Sequence, residues 1–376
     1  MTARQPPLAR LEVLHPGVGN TIQDLGRPGF RHQGVPLAGA LDADLARCAQ
    51  ALVHNPPGYA CIEMRALGPS LRCTAGPVLV SLTGEVHARI TRNGGVVQHM
   101  DAWCSATLFP GDELHVSAVA DGCAYLAVQG ELDVPEFMGS HACFGKWNVP
   151  GLLSRPLAHG DVLDTLPVVT HPPASAMPPT AGRADAAHHV GLSPGPLRGP
   201  PFRVLERTAP LTIRAMAGPQ IGHLSAQSQS DFWATTWHAS AAQDRMGLRL
   251  QGDALQHTSP AHREIVSDPV TPGTIQVPAD GQPIALLADC QTMGGYPKVA
   301  VVISADLPLL AHCPAGKAIQ FVAVTLDEAH AAMRARAQEW RAWVMHLRPH
   351  AQVGWIDANA LQMHNLISGA IDARDI

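Results

Sequence analysis

Charge is sparse in this chain. Only 15% of its 376 residues are Asp, Glu, Lys or Arg, and the 26 basic ones stand singly. A nucleic-acid surface needs clustered Lys and Arg to neutralise phosphates, so no such partner is expected. No run of about 18 apolar residues occurs, so no membrane span is expected. No apolar segment follows Met1 to Pro7, so no export signal is expected either. A cytoplasmic protein is the expectation that follows. The eight cysteines contain no Cys-x-x-Cys pair and read as small buried hydrophobes rather than a disulfide frame.

Common catalytic signatures are missing too. Gly316-Lys317-Ala318 fails the phosphate-loop pattern. There is no Gly-x-Ser-x-Gly elbow, no His-Glu-x-x-His and no Met-Lys-Met site for biotin attachment. The 20 histidines show no metal-ligand spacing. The His188-His189 pair has no acidic or cysteine ligand near it and reads as part of a solvated loop. No metal is expected in this chain.

Punctuation is what the chain has in abundance: 34 glycines and 33 prolines, against 5% aromatic residues. Many short strands joined by tight turns give that balance, and long helices do not. With 46% hydrophobic residues the chain can bury a sizeable core, and its length favours two domains. A helix is predicted over Gly39–His54, where Leu41, Leu45, Cys48, Ala49, Leu52 and Val53 share a face, and Asn55-Pro56-Pro57-Gly58 stops it. Strands follow from Cys61 to about Leu166, with a hairpin turn at Arg92-Asn93-Gly94-Gly95. Residues 167–201 are rich in Pro, Ala and Gly and read as a linker. Strands resume at Phe202–Leu205 and Leu211–Met216, with a second hairpin around Pro278-Ala279-Asp280-Gly281. Thr325-Leu326-Asp327-Glu328 fits a capping box opening a helix whose Ala329, Met333, Ala337, Trp340, Val344 and Leu347 form one stripe, ended by Arg348-Pro349. An amphipathic stretch, Ala358–Ile371, closes the chain. Alternating helix and strand patterns are missing, which disfavours a parallel α/β sheet.

Three stretches combine polar groups with glycine. In the first, Gln23, Asp24 and Arg27 lie within five residues; on residue chemistry an ordinary turn with a local Asp24–Arg27 ion pair is the simpler account. In the second, Arg245 and Arg249 are four apart. They can clamp a carboxylate or phosphate from one face of a strand, or be surface residues pairing with Asp244 or Glu206. The third is the densest: Gln276, then Asp289, Gln291, Thr292, Gly294, Gly295, Tyr296 and Lys298. Paired glycines let a ligand approach backbone N–H groups, Asp289 can orient or deprotonate, and Tyr296 or Lys298 can donate protons or stabilise charge.

Together these stretches resemble one family. Gln23-Asp24-Leu25-Gly26-Arg27, Gly39-Ala40-Leu41-Asp42, Leu52-Val53-His54-Asn55, Glu63, Thr83-Gly84, Gly139-Ser140, Gly160-Asp161, Arg245-Met246-Gly247, Arg249-Leu250-Gln251-Gly252, Gln276-Val277-Pro278, Gly281-Gln282-Pro283, Asp289, Gln291-Thr292 and Gly294-Gly295-Tyr296-Pro297 occur in the order of the family of the 5-oxoprolinase C subunit. It is also called allophanate hydrolase subunit 2 or the biotin-dependent carboxyltransferase family. The resemblance covers roughly residues 11 to 335. It implies a mostly β fold of two cyclophilin-like β-barrel domains with a few peripheral helices; the linker places these at 8–166 and 202–347, and the amphipathic end of the chain adds an expected helical tail at 348–376. The resemblance also implies the B and A subunits of 5-oxoprolinase as partners, a small-molecule amide substrate, and ATP-driven opening of 5-oxo-L-proline to L-glutamate. By motif, Asp289, Tyr296, Lys298 and Asp24 are the catalytic candidates. Gln23, Arg27, Arg245, Arg249, Gln276, Gln291, Thr292, Gly294 and Gly295 are the substrate-binding ones. Two other functions fit a family of this kind. One is the carboxyltransferase component of a urea- or guanidine-carboxylase-like system, with biotin as a substrate carried elsewhere. The other is a regulator that sequesters a B-like kinase inhibitor. The sequence departs from the family pattern at His141–Trp147, at Asp268-Pro269, at Met293 and at Leu248, departures that bear on the substrate more than on the fold.

Overall fold

The computed structural model describes residues 7–147, 151–167, 191–193 and 210–350. The expected strand at Phe202–Leu205, the helix at Ala358–Ile371, the His188-His189 pair and most of the 167–201 linker lie outside them.

Two antiparallel sheets form the first half. One runs in the order β11 (Glu131–Leu132), β12 (Val162–Leu166), β1 (Ala9–His15), β4 (Ser70–Ala75), β9 (Glu113–Val116), β6 (His87–Thr91) and β7 (Val97–Asp101). The other runs β2 (Thr21–Gln23), β3 (Cys61–Met64), β10 (Ala124–Val128), β5 (Val78–Thr83) and β8 (Ser105–Leu108). The expected turn joins β6 to β7, its Gly95 N–H donating to the Arg92 carbonyl at 2.9 Å.

A closed barrel forms the second half: β14 (Leu211–Ala217), β21 (Lys298–Val302), β18 (Thr274–Gln276), β19 (Ile284–Leu286), β16 (Gly247–Gln251), β15 (Thr236–Gln243) and β22 (Ala318–Ala323). β22 lies between β15 and β14, antiparallel to the first and parallel to the second. Two small pairs remain, β17 (Asp268–Pro269) with β20 (Met293–Gly294), and β13 (Gly191–Ser193) with β23 (Arg348–His350). The last pair draws part of the predicted linker, and the start of the predicted helical tail, into strand structure.

The five-stranded sheet is buried on both faces, and its residues divide by strand alternation. Val78, Val80, Leu82, Leu126 and Val128 share a core with the seven-stranded sheet. Cys61, Leu79, Tyr125 and Ala127 point the other way, into a core shared with barrel residues such as Ile213, Trp237, Leu248, Val299 and Phe321. The two halves are therefore packed through one continuous apolar interior. Ser81 and Thr83 also point that way, where their hydroxyls donate to the Ala49 and Leu45 carbonyls at 2.7 and 2.9 Å.

Those carbonyls belong to α1 (Ala43–Leu52), the first of four α-helices among the described residues, with α2 (Ala226–Ala234), α3 (Leu307–Ala311) and α4 (Leu326–Met345). The N-cap of α1 is Asp42, whose Oδ1 accepts from the Asp44 and Leu45 N–H groups at 3.1 and 3.0 Å. Its other oxygen meets His312 Nε2, just past α3, at 2.7 Å. The predicted capping box at Thr325 and Glu328 starts α4. The predicted stripe on α4 is covered unevenly. Of its residues Ala329 is buried, while Met333 is 41% exposed; Trp343, which is not part of the stripe, is buried. Between them Arg336 reaches across to Asp44 of α1.

Candidate functional site

The turn between β15 and β16 and the loop after β19 lie against each other. Asp244 Oδ1 accepts from the Met246 and Gly247 N–H groups at 2.7 and 3.2 Å, which shapes the turn and presents Arg245. Two backbone bonds join the loops: the Leu287 N–H donates to the Met246 carbonyl and the Asp289 N–H to the Arg245 carbonyl, each at 2.9 Å. The Arg245 guanidinium then grips both Asp289 oxygens, Nε to Oδ2 at 2.9 Å and Nη2 to Oδ1 at 2.8 Å.

The same guanidinium crosses into the first half. Nη1 donates to Glu63 Oε1 on β3, and Nη2 to the Gly39 carbonyl. The other Glu63 oxygen accepts from the Leu41 N–H at 2.8 Å and from the Tyr125 hydroxyl at 2.7 Å. That hydroxyl accepts from the Asp42 N–H at 2.9 Å. Glycine at 39 is required by its neighbours as well as by its φ of +84°, since a Cβ there would meet the Gly26 nitrogen at 2.5 Å. The result is a hydrogen-bonded chain running Asp289–Arg245–Glu63–Tyr125–Asp42–His312 through the junction of the halves.

Electrostatics follow from burial and pairing. Burial alone pulls the Arg245 pKa down, but Glu63 and Asp289 more than reverse this, and it ends above the ordinary arginine value. Burial raises the Asp289 carboxyl, and Arg245 offsets only part of that rise. Burial likewise raises the Tyr125 phenol well above its usual range. A carboxylate so committed to a guanidinium is a wall and an anchor, not a free base.

Two cavities flank this knot, sharing Asp244 and Met246. The first, of about 500 Å³, opens on the barrel and is lined by Arg249, Gln276, Gln291 and Tyr296 among others. The second, of about 430 Å³, lies at the junction and is lined by Gln23, Arg65, Cys143, Lys146, Arg245 and Asp289 among others. The cysteines are all free, and burial pushes the Cys143 thiol up to about 11. Among the described residues no cluster of His, Cys, Asp and Glu is arranged to hold a metal ion.

Seven sequence-predicted residues thus line the cavities: Gln23, Arg245 and Asp289 in one, Arg249, Gln276, Gln291 and Tyr296 in the other. The rest have other duties. Asp24 accepts from the Gly26 N–H, the Ser140 hydroxyl and the His141 N–H, each at 2.7 Å, so its lone pairs hold the 137–147 loop rather than serve as a catalytic acid or base. Arg27 is fully buried, donates to the Ala142 carbonyl at 2.6 Å and lies 4.4 Å from the Trp147 ring centroid. The expected Asp24–Arg27 ion pair does not form. The Lys298 ammonium is buried against Asp268 and donates to the Pro269 carbonyl at 2.9 Å, which ties it to the barrel rim. Thr292 and Gly295 present their carbonyls to Val270 and Ile265 at 3.0 and 2.8 Å. Gly294 makes room for Gln276, whose Nε2 lies 2.4 Å from where a Cβ would stand. The two-arginine clamp does not form. Arg245 sits in the turn before β16 begins at Gly247, so it faces the junction while Arg249 faces the barrel cavity.

Sequence reasoning missed several partners. Tyr125 and Glu63 each stand as one polar residue in an apolar strand, a signal that a buried hydrogen-bonded pair was needed. Arg31 left no such mark. It donates to the Gln291 carbonyl at 2.8 Å and to the Val270 carbonyl, fastening the 290 loop from the first half.

A sequence model of the carboxyltransferase domain, subdomain A and B, matches residues 33–323. The chain belongs to this family. Among its relatives is the 5-oxoprolinase C subunit of Escherichia coli K12, 34% identical over 346 residues that make up 89% of this chain and 99% of that protein. Another is the 5-oxoprolinase C subunit of Haemophilus influenzae, 32% identical over 310 residues, or 82% of this chain and 89% of that one. In structure the chain resembles the Kluyveromyces lactis urea carboxylase, with a TM-score of 0.73 at 25% identity over 91% of this chain; it spans only 30% of that enzyme. The Arg245 knot and the second cavity lie at the junction between the two halves, while the first cavity belongs to the barrel. Among the described residues no helix is long and apolar enough to cross a membrane.

Proposed function

We propose that this chain is the C subunit of an ATP-dependent 5-oxoprolinase, acting with the A and B subunits to convert 5-oxo-L-proline, ATP and water to L-glutamate, ADP and phosphate. One observation carries the reading: the match to the Escherichia coli C subunit extends over 99% of that protein. The cavities support it, since volumes of about 430 and 500 Å³ suit a small amide.

The chemistry is consistent. A lactam carbonyl is poorly electrophilic because its nitrogen donates into it. Transfer of the ATP γ-phosphoryl group to the lactam oxygen, with release of ADP, gives an imidate carbon that is open to water and turns the oxygen into part of a leaving group. Water then adds to the carbon and the ring C–N bond breaks with protonation of nitrogen, leaving an acyl phosphate; a second water hydrolyses it to glutamate and phosphate. This chain's contribution is binding and orientation, because Arg245 and Asp289 are locked in the junction and Gln23, Gln276 and Gln291 offer amides to a ligand.

The test combines the purified A and B subunits and this chain with 5-oxoproline and ATP, and follows ADP and glutamate. Turnover that depends on this chain supports the assignment; equal turnover without it defeats it. The likeness to urea carboxylase favours a second reading, transfer of a carboxyl group from biotin carried on another protein to an amide-bearing substrate. Chain-dependent carboxylation of urea by a biotinylated partner, without glutamate formation, selects that one.

A further inference from the structure

Two residues that line the junction cavity each carry a buried polar atom that the protein does not satisfy. Gln23, on β2, has no exposed surface. Its Nε2 donates to Thr21 Oγ1 and to the Cys143 carbonyl, each at 3.1 Å. A carbonyl only accepts, so the amide fits in one orientation, and its buried Oε1 is the atom without a donor. Arg65, just past β3, lines the same cavity and has a buried Nε–H without an acceptor. Each unmet group carries a desolvation penalty. The lining of the cavity is therefore short of one N–H donor and one oxygen acceptor.

Charge points the same way. Arg245 is matched by Glu63 and Asp289. Asp244 spends one oxygen on its own turn. Arg65 and the exposed Lys146 form no ion pair among the described residues, so each brings an unpaired cation to this wall.

We propose that the junction cavity takes a small secondary amide with an adjacent carboxylate, its N–H donating to Gln23 Oε1 and its carboxylate held by Arg65, with Lys146 at the mouth. The proposal rests on the 5-oxoproline reading and goes further, naming the substrate atoms that this chain recognises.

The test is calorimetric binding to the complex of the A and B subunits with the full chain, without ATP. Three probes are compared: 5-oxo-L-proline, the lactone in which a ring oxygen replaces the N–H, and pyrrolidin-2-one, which lacks the carboxylate. The unmodified complex binds 5-oxoproline about tenfold or more tightly than either analogue. Gln23→Met brings lactone and lactam within about twofold while keeping the preference over pyrrolidin-2-one, and Arg65→Gln does the reverse. Three results overturn the proposal: lactam and lactone bound alike by the unmodified complex, no binding of 5-oxoproline, or a Gln23→Met complex that keeps the full lactam preference. The first two need no variant, so they stand even where Met at 23 prevents folding. Turnover separates this inference from the assignment above. Glutamate formation that requires the chain, together with indifferent binding of the probes, removes the inference alone. Turnover without the chain removes the assignment and the inference with it.

Discussion

Arg27 and Arg245 are both buried, both come from glycine-flanked polar stretches, and live in opposite electrostatic company. Arg27 sits under the 137–147 loop with backbone carbonyls and an indole ring but no carboxylate in contact, and burial lowers its pKa. Arg245 sits at the junction between two carboxylates, and its pKa is raised. The first guanidinium staples one loop to one sheet. The second joins two folding units, because its partners lie on β3 and on the loop after β19. Similar sequence surroundings thus produce a local brace in one place and a connection between halves in the other, and the acid partners decide which.

That contrast breaks most visibly at Arg245. Arg245→Met leaves Glu63 and Asp289 buried without a counter-charge, and the expected loss is about 3–5 kcal/mol in urea unfolding. Arg27→Met leaves only carbonyls short of a donor, with an expected loss of about 1–3 kcal/mol. Equal losses from the two substitutions dissolve the distinction. Thr325→Ala, far from both, removes the α4 cap and costs about 1 kcal/mol, which sets the scale for a purely local bond.

The pH dependence sharpens the comparison with the smallest effect. Asp161, paired with Arg155 at 2.7 Å, has its pKa lowered by that hydrogen bond. Its stabilisation is present above the ordinary carboxylate range and is lost as pH falls through the depressed value. Asp289 has a raised pKa, so the folded protein holds that proton more tightly than the unfolded chain does. Its contribution is greatest in acid and declines as pH rises from the ordinary range through the raised value. Unfolding measured against pH shows the two slopes with opposite signs. Asp161→Asn removes the first and Asp289→Asn the second, each by no more than about 1 kcal/mol in slope-derived stability.

Much of the fold was legible because its signals are local. Asn93-Gly94-Gly95, Asp280-Gly281 and the Thr325–Glu328 box each fix a turn or cap within four residues, and each occurs where the chain predicts it. Strand alternation was hidden in β5 and β10, whose residues are buried on both faces and read only as apolar runs. The parallel contact of β22 with β14 left no mark, since nothing in Ala318–Ala323 specifies which distant strand it joins. The candidate site divided in the same way. Arg245 and Asp289 stood out as charges among glycines. Their completion by Glu63, Tyr125 and Arg31 depends on elements far away in sequence, and the diversion of Lys298 to Asp268 depends on the short β17–β20 pair.

The barrel's seventh strand has a bearing on synthesis. A nascent chain extending only to Ala311 already contains β14 and β15, yet the segment that lies between them has not been made. Two raw strand edges then face each other across a gap, and exposed edges invite pairing with other chains. The Arg245 turn and the 290 loop are complete by that stage, but the wall supporting them is still open. Translation must run through Ala323 before the second half can protect itself, so premature release in that interval yields a template for aggregation rather than a smaller working domain.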